Sequence, residues 1–224
     1  MIKLRDITKA YKEKVIFDHF NLDIEDHKIT CILGASGVGK TTLMNIIANM
    51  TKFQGHVDRE EKISYIFQEP RLIPTLTVKN NLKFTSPDAT EEQMDQILDQ
   101  LNIRDKRDTF PNQLSGGEAQ RVSIARAFLY DASIILMDEP FSSLDLSLKY
   151  KLIQQFSSLW KMHQRTVVFV THNIDEALLL SDEILILKEG RISKKYQIDA
   201  PLPRGISDQE ELRKQIISDL LEED

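Results

Sequence analysis

The sequence predicts an α/β fold: a mostly parallel sheet carrying a phosphate-binding loop, antiparallel strands before that loop, and a helical block inserted after it. Three observations predict this. Gly34-Ala35-Ser36-Gly37-Val38-Gly39-Lys40-Thr41-Thr42 fits the pattern G-x-x-x-x-G-K-[ST], between an apolar run at 29–33 and a helix-like segment at 42–47. Strand-like and helix-like segments alternate from residue 133 onward, which implies a mostly parallel sheet. Residues 76–130, by contrast, have few strand signals and two strong helical ones. The division expected is 1–71 and 131–199 for the core with its N-terminal β subdomain, 72–130 for the helical subdomain, and 200–224 for a tail.

Taken in order, Ile2, Leu4 and Ile7 open a first strand, and 15–24 alternates Phe20, Leu22 and Ile24 with polar residues as a second. Tyr11, placed between them, suits two roles equally: stacking on a nucleotide base, or packing on the local strand surface. Short strands are expected at 55–57 and 63–67. Pro70 and Pro74 then stop regular structure. Residues 90–101 carry Met94, Ile97, Leu98 and Leu101 on one helical face, behind Thr90 as N-cap and Glu91 and Glu92 at the positive helix end. A second helix is expected at 116–130. Strands at 133–137 and 166–170 alternate with helices at 146–163 and 174–180. Glu189-Gly190 between 183–187 and 191–198 signals a hairpin. The tail starts at Pro201 and Pro203 and ends in an amphipathic helix at 209–221 and an acidic terminus.

Composition narrows the function classes. The chain has 224 residues, 29% charged and 41% hydrophobic, as in a soluble globular protein. A net charge of −6 gives no support to nucleic-acid binding. The single cysteine, Cys31, allows no internal disulfide; its apolar strand favours a small buried core residue over a nucleophile. No apolar run approaches the ~20 residues that span a bilayer, and the polar, alternating N-terminus is not a signal peptide. His19, His27, His56, His163 and His172 show no metal-ligand spacing, so no zinc site is expected.

Residue types then assign chemistry. Glycines let the loop backbone curl its N–H groups around phosphates, and the following helix adds its positive end. Lys40 reaches the outer phosphates, and the Thr41 hydroxyl is a Mg²⁺ ligand. The strand at 133–137 ends in Asp138-Glu139. By itself that pair reads as a surface cap on a strand. Beside a phosphate loop it reads as a metal-holding acid, Asp138, and a general base, Glu139. Leu114-Ser115-Gly116-Gly117-Glu118 opens a helix with bare N–H groups and a hydroxyl, either a second anion site or an ordinary N-cap.

Leu114-Ser115-Gly116-Gly117, upstream of Asp138-Glu139, resembles the signature motif of ABC-type ATPases. The rest of that family's motifs occur in order: Tyr11 as the adenine-stacking aromatic, 34–42 as Walker A, Gln68 as the glutamine loop, Asp138 and Glu139 as Walker B with its catalytic glutamate, Ser143-Leu144-Asp145 as the D-loop, and His172 as the switch histidine. The resemblance implies an ABC-type cassette on a RecA-like P-loop NTPase core. It implies ATP and Mg²⁺, with Thr41, Gln68 and Asp138 toward the metal and Lys40, Gln68, Glu139 and His172 toward catalysis. It further implies a head-to-tail dimer closed by ATP, in which Ser115, Gly116 and Gly117 touch nucleotide held by residues 34–42 of a second copy. Two positions depart from the commoner pattern: Glu118 stands where glutamine is frequent, with Gln120 nearby, and Thr41 replaces serine while keeping the hydroxyl.

The run from Phe67-Gln68-Glu69-Pro70-Arg71 to Val78 resembles the nitrate, sulfonate and taurine importers, a group that includes importers of thiamine-precursor pyrimidines. Met137 to Asp145 and Leu202-Pro203-Arg204 in the tail are similar to the same group. The resemblance implies a peripheral subunit on the cytoplasmic face of the membrane, working with a separate permease and, indirectly, an extracytoplasmic solute-binding protein. Leu72, Ile73 and Leu76 either receive the permease or form the helical subdomain's own core. The rival readings are a soluble non-transport ABC ATPase and a binding-only regulatory cassette.

Overall fold

The computed structural model describes residues 1–60 and 62–221. The acidic end read at 222–224 lies outside the described residues. Strands β1 (Ile2–Tyr11) and β2 (Lys14–Ile24) form a hairpin, joined by β4 (Gln54–Asp58) in an antiparallel sheet of order β2-β1-β4. The second sheet contains β3 (Ile29–Leu33), β5 (Ile63–Ile66), β6 (Ile134–Asp138), β7 (Thr166–Thr171), β8 (Glu183–Lys188) and β9 (Arg191–Gln197), in order β5-β6-β7-β3-β8-β9. All its neighbours run parallel except the β8-β9 hairpin at the edge. Seven α-helices lie among the described residues: α1 (Lys40–Ile47), α2 (Val78–Thr85), α3 (Glu91–Gln100), α4 (Gly116–Leu129), α5 (Leu146–His163), α6 (Ile174–Leu180) and α7 (Glu210–Leu221).

The central strands read as unbroken apolar runs because both faces of the sheet are covered. Side chains alternate across the sheet with period two. Cys31, Ile135, Met137, Val167, Phe169, Ile184 and Ile186 face one core, shared with helices α2 to α7. Ile32, Ile134, Leu136, Val168, Val170, Leu185 and Leu187 face the other, shared with α1 and the antiparallel sheet. Cys31 is wholly buried, and burial pushes its thiol well above the ordinary range. It is a core residue.

Two elements differ from the sequence reading. Tyr11 is the last residue of β1, paired with Lys14, so the turn falls after it. Helix α2 occupies residues that gave no clear helical signal, because Lys79, Asn80, Asn81 and Lys83 leave only a thin apolar stripe. What holds this stretch is Asn81, fully buried. Its Nδ2 donates to the carbonyls of Ile73, Leu76 and Thr77, and its Oδ1 accepts from the Ile73 N–H at 2.8 Å. Asparagine is a poor interior helix residue; here its amide fastens the preceding loop to α2. Helix α3 has the expected Thr90 cap, closed reciprocally by Gln93.

Strand order positions the site. In open α/β sheets ligands bind at the carboxyl ends of the strands. Here β5, β6, β7 and β3 are neighbours. Their carboxyl ends lead into Gln68, Asp138-Glu139, Thr171-His172 and the glycine loop.

Candidate active site

The loop after β3 turns sharply at Gly37 (φ 78°) and Gly39 (φ 116°). At Gly39 a Cβ would lie 2.7 Å from Ile16 Cγ2, on a backbone that L side chains rarely adopt, so glycine is required there. No side chain caps α1. Its first N–H groups are therefore left for an anion. Lys40 is buried, and its ammonium donates to the carbonyls of Gly34 and Ala35, each at 2.9 Å. Burial lowers its pKa, against the pull of Glu139 and Asp138.

Asp138 ends β6, and Thr41 starts α1. The Thr41 hydroxyl donates to Asp138 Oδ1 at 3.1 Å. Burial raises the Asp138 carboxyl above the ordinary carboxylate range, while the Thr41 hydrogen bond opposes that rise. The next residue, Glu139, has φ 44°, a conformation uncommon for a residue with a Cβ. Its N–H donates to Val170 O at 3.0 Å, which holds the strained turn against β7. That turn aims the carboxylate between two cationic or protonatable groups. Oε1 lies 3.8 Å from Lys40 Nζ, and Oε2 lies 3.1 Å from His172 Nδ1.

Gln68 approaches from the β5 side. Its Nε2 donates to Ser142 Oγ at 3.3 Å, and Ser142 Oγ donates to the Glu139 carbonyl at 3.0 Å. Ser142, inside the run Met137 to Asp145, is a link that no sequence motif assigns a role. The base of the Gln68 loop is stiffened by a column in which Tyr65 stacks on Phe67 at 4.2 Å and Arg71 lies 3.7 Å over the Phe67 ring. From α4, Arg126 donates to the carbonyls of Pro70 and Arg71 at 3.3 and 3.1 Å. The loop is thereby tied to α4.

Lys40, Thr41, Gln68, Asp138, Glu139 and His172 are thus brought together. The glycine loop carries Gly34 to Gly39 and Thr42 to the same place, whereas Tyr11 and Ser115 to Gly117 stand elsewhere. Tyr11 is exposed at the end of β1, with the Lys9 ammonium 4.4 Å from its ring. Ser115 caps α4, where Gly116 is exposed and Gly117 buried. Glu118 turns back on this cap: its Oε2 accepts from the Ser115 N–H and hydroxyl, each at 2.8 Å. Lys106 Nζ lies 3.3 Å from Glu118 Oε1. These bonds to Ser115 hold the Glu118 carboxyl below its ordinary range. The departure from glutamine therefore adds a fixed, neutralised carboxylate rather than a loose negative charge.

The family model for the ABC transporter matches residues 17–142, more than half of the chain. The chain belongs to the ABC transporter family. The aliphatic sulfonates import ATP-binding protein SsuB of Mycobacterium sp. (strain MCS) is 35% identical, with 98% of this chain and 94% of that protein aligned. Its counterpart in Granulibacter bethesdensis is 36% identical over 93% and 88%. Among solved structures, the dimeric post-hydrolysis state of the ATP-binding cassette MJ0796, bound to ADP and Pi, superposes with a TM-score of 0.78 at 32% identity, covering 89% of this chain and all of that one. Clostridium perfringens cbiO1 shares the fold, with a TM-score of 0.80 at 22% identity and 98% and 95% coverage. This chain is an ATP-hydrolysing ABC cassette of importer type, and the rival non-transport and binding-only readings are not favoured. Among the described residues, no helix is long and apolar enough to cross a membrane.

Proposed function

We propose that this chain couples ATP binding, closure of a head-to-tail dimer and hydrolysis to solute uptake through a separate permease, from a peripheral position on the cytoplasmic face of the membrane. The observation that carries the reading is Glu139, held by a strained turn between Lys40 and His172, with Thr41 and Asp138 joined beside it. Lys40 and the free N–H groups of α1 bind the phosphate chain. Glu139 takes the proton of the attacking water, and His172 orients the carboxylate and contacts the terminal phosphate. Tyr11 stacks on the adenine.

The donor set fits Mg²⁺. Thr41 and Asp138 place a hydroxyl and a carboxylate side by side, and Gln68 adds an amide oxygen; Mg²⁺ favours few protein oxygens together with substrate phosphates. Among the described residues, no group of three or more His, Cys, Asp or Glu side chains forms a metal cage. A bound Mg²⁺ would neutralise phosphate charge. Ser115 and Gly116, exposed at the start of α4, with the buried Gly117 behind them, complete the site on a second copy. The dimeric state of MJ0796 supports this arrangement.

The solute belongs to the nitrate, sulfonate, taurine and pyrimidine-precursor group, and the sulfonate-import names of the relatives favour a sulfonate. An extracytoplasmic binding protein would deliver it. The test is uptake by cells in which this chain is replaced by its Glu139→Gln variant. Loss of labelled alkanesulfonate uptake, with the permease still co-isolating, supports the proposal. Undiminished uptake of every solute in the group would overturn it.

A further inference from the structure

Glu176 lies on α6, one turn after His172, and is 2% exposed. A buried carboxylate must have partners. Glu176 uses both oxygens. Oε1 is 2.6 Å from Lys149 Nζ, and Oε2 accepts the Thr171 hydroxyl proton at 2.6 Å. The Thr171 oxygen in turn accepts from the Asn173 N–H at 3.0 Å, and Asn173 Oδ1 accepts from the Glu176 N–H at 3.2 Å. These bonds close a ring around the backbone of His172.

The other end of the ring is Lys149, on the first turns of α5. Its own N–H donates to Asp145 O at 2.9 Å, and the Asp145 side chain caps the same helix through the Leu148 N–H. Asp145 ends Ser143-Leu144-Asp145, so the segment that opens α5 and the residue that contacts Glu139 are joined by charge-assisted bonds. A buried ion pair is a weak source of stability, since apolar residues of similar size often serve as well. Its directional geometry is what apolar packing would not supply.

We propose that Glu176 is a positioning residue. It fixes the backbone at His172 relative to α5, so that a shift of the segment before α5 moves the imidazole against Glu139. The inference rests on the ATPase reading and deepens it.

The experiment compares full-length wild type with Glu176→Gln, Lys149→Met and the double variant. It measures steady-state ATP hydrolysis, thermal melting, and the imidazole ¹⁵N resonances of ¹⁵N-histidine protein. A misplaced catalytic group costs up to about 10²-fold; each single variant is expected to lose roughly 10- to 100-fold in kcat. KM for ATP should stay within about twofold, since interactions lost only in the transition state leave KM unchanged. The double variant should lose no more than the worse single one, the signature of one coupled unit. His172 resonances should move while those of His19, His27, His56 and His163 stay in place. Unchanged kcat, additive losses, or unmoved His172 resonances overturn the proposal. If Glu176→Gln melts below the assay temperature, Thr171→Val removes the same bridge at equal volume, with the same outcomes. Absence of turnover in wild type would count against the ATPase reading instead, and the His172 resonances would still decide the positioning role.

Discussion

The Nδ1 of His172 lies 3.1 Å from Oε2 of Glu139, each just beyond the end of its own strand, and the Glu139 N–H is bonded across to Val170 at the end of the histidine strand. The two side chains therefore share one rigid frame. On the proposed reading, a base held this way needs no large rearrangement to meet water at a bound phosphate.

If Glu139 is the base, replacing it should separate binding from chemistry. Glu139→Gln keeps the shape and loses proton acceptance, so turnover should fall by about 10²- to 10⁴-fold, the usual worth of a positioned base. ATP still binds, and the closed dimer should accumulate. Phosphate release and gel filtration in ATP and Mg²⁺ read both effects. Full turnover in the variant would remove Glu139 from its role.

Gly116 distinguishes a site shared between copies from a simple helix cap. A Cβ added there meets nothing within 4 Å in the single chain. Gly116→Ala should leave the melting temperature unchanged or slightly higher, because alanine favours helix by up to about 1 kcal/mol. Turnover should nonetheless fall by roughly 10²-fold, the scale of losing a preorganised donor, because the methyl group crowds nucleotide on the partner. Equal turnover would count against the paired arrangement.

Asp138 sets a pH-dependent stability. Its folded pKa is raised by burial, so the ionised form costs stability above that pKa, and the cost is relieved as pH falls through it toward the ordinary carboxylate range near ~3.9. Asp138→Asn should accordingly melt above wild type at pH 7. The gap should close as the pH is lowered, while ATPase activity is lost throughout. A variant that melts below wild type at pH 7 would show that the Thr41 bond outweighs the burial cost.

Phe84, at the end of α2, is 65% exposed, on the helix that Asn81 fastens to the loop carrying Leu72, Ile73 and Leu76. Leu72 packs partly on the main core, so less of that loop is open than its composition implies. If this face receives the permease, Phe84→Asp should leave the isolated ATPase and its melting intact. It should weaken permease association by roughly 30-fold, the loss of one aromatic hot spot (about 2 kcal/mol). Co-isolation from detergent-solubilised membranes measures it.

Much of this was legible in the chain itself. The glycine loop, the acid pair after an apolar strand and the capped helices at Thr90 and Ser115 are local signals, set within a few residues by backbone sterics, hydrogen-bond capping and side-chain period. Helix α2 was not legible, because it is held by Asn81 bonding the irregular loop just before it and not by an apolar stripe. The roles of Ser142, Arg126 and Glu176 were hidden because their partners lie far along the chain, on other elements.

The sequence by itself determined the two-sided apolar strands, the order of elements apart from α2, and the residue types offered for gripping phosphate and activating water. Tertiary structure alone decided which of them meet. Strand order β5-β6-β7-β3 brings Gln68, Asp138, Glu139, His172 and Lys40 to one edge, while Tyr11, Ser115 and Gly116 are left facing outward. The physical reason is that local pattern fixes each strand and its two faces, whereas adjacency in a parallel sheet is set by crossover packing between segments far apart in the chain.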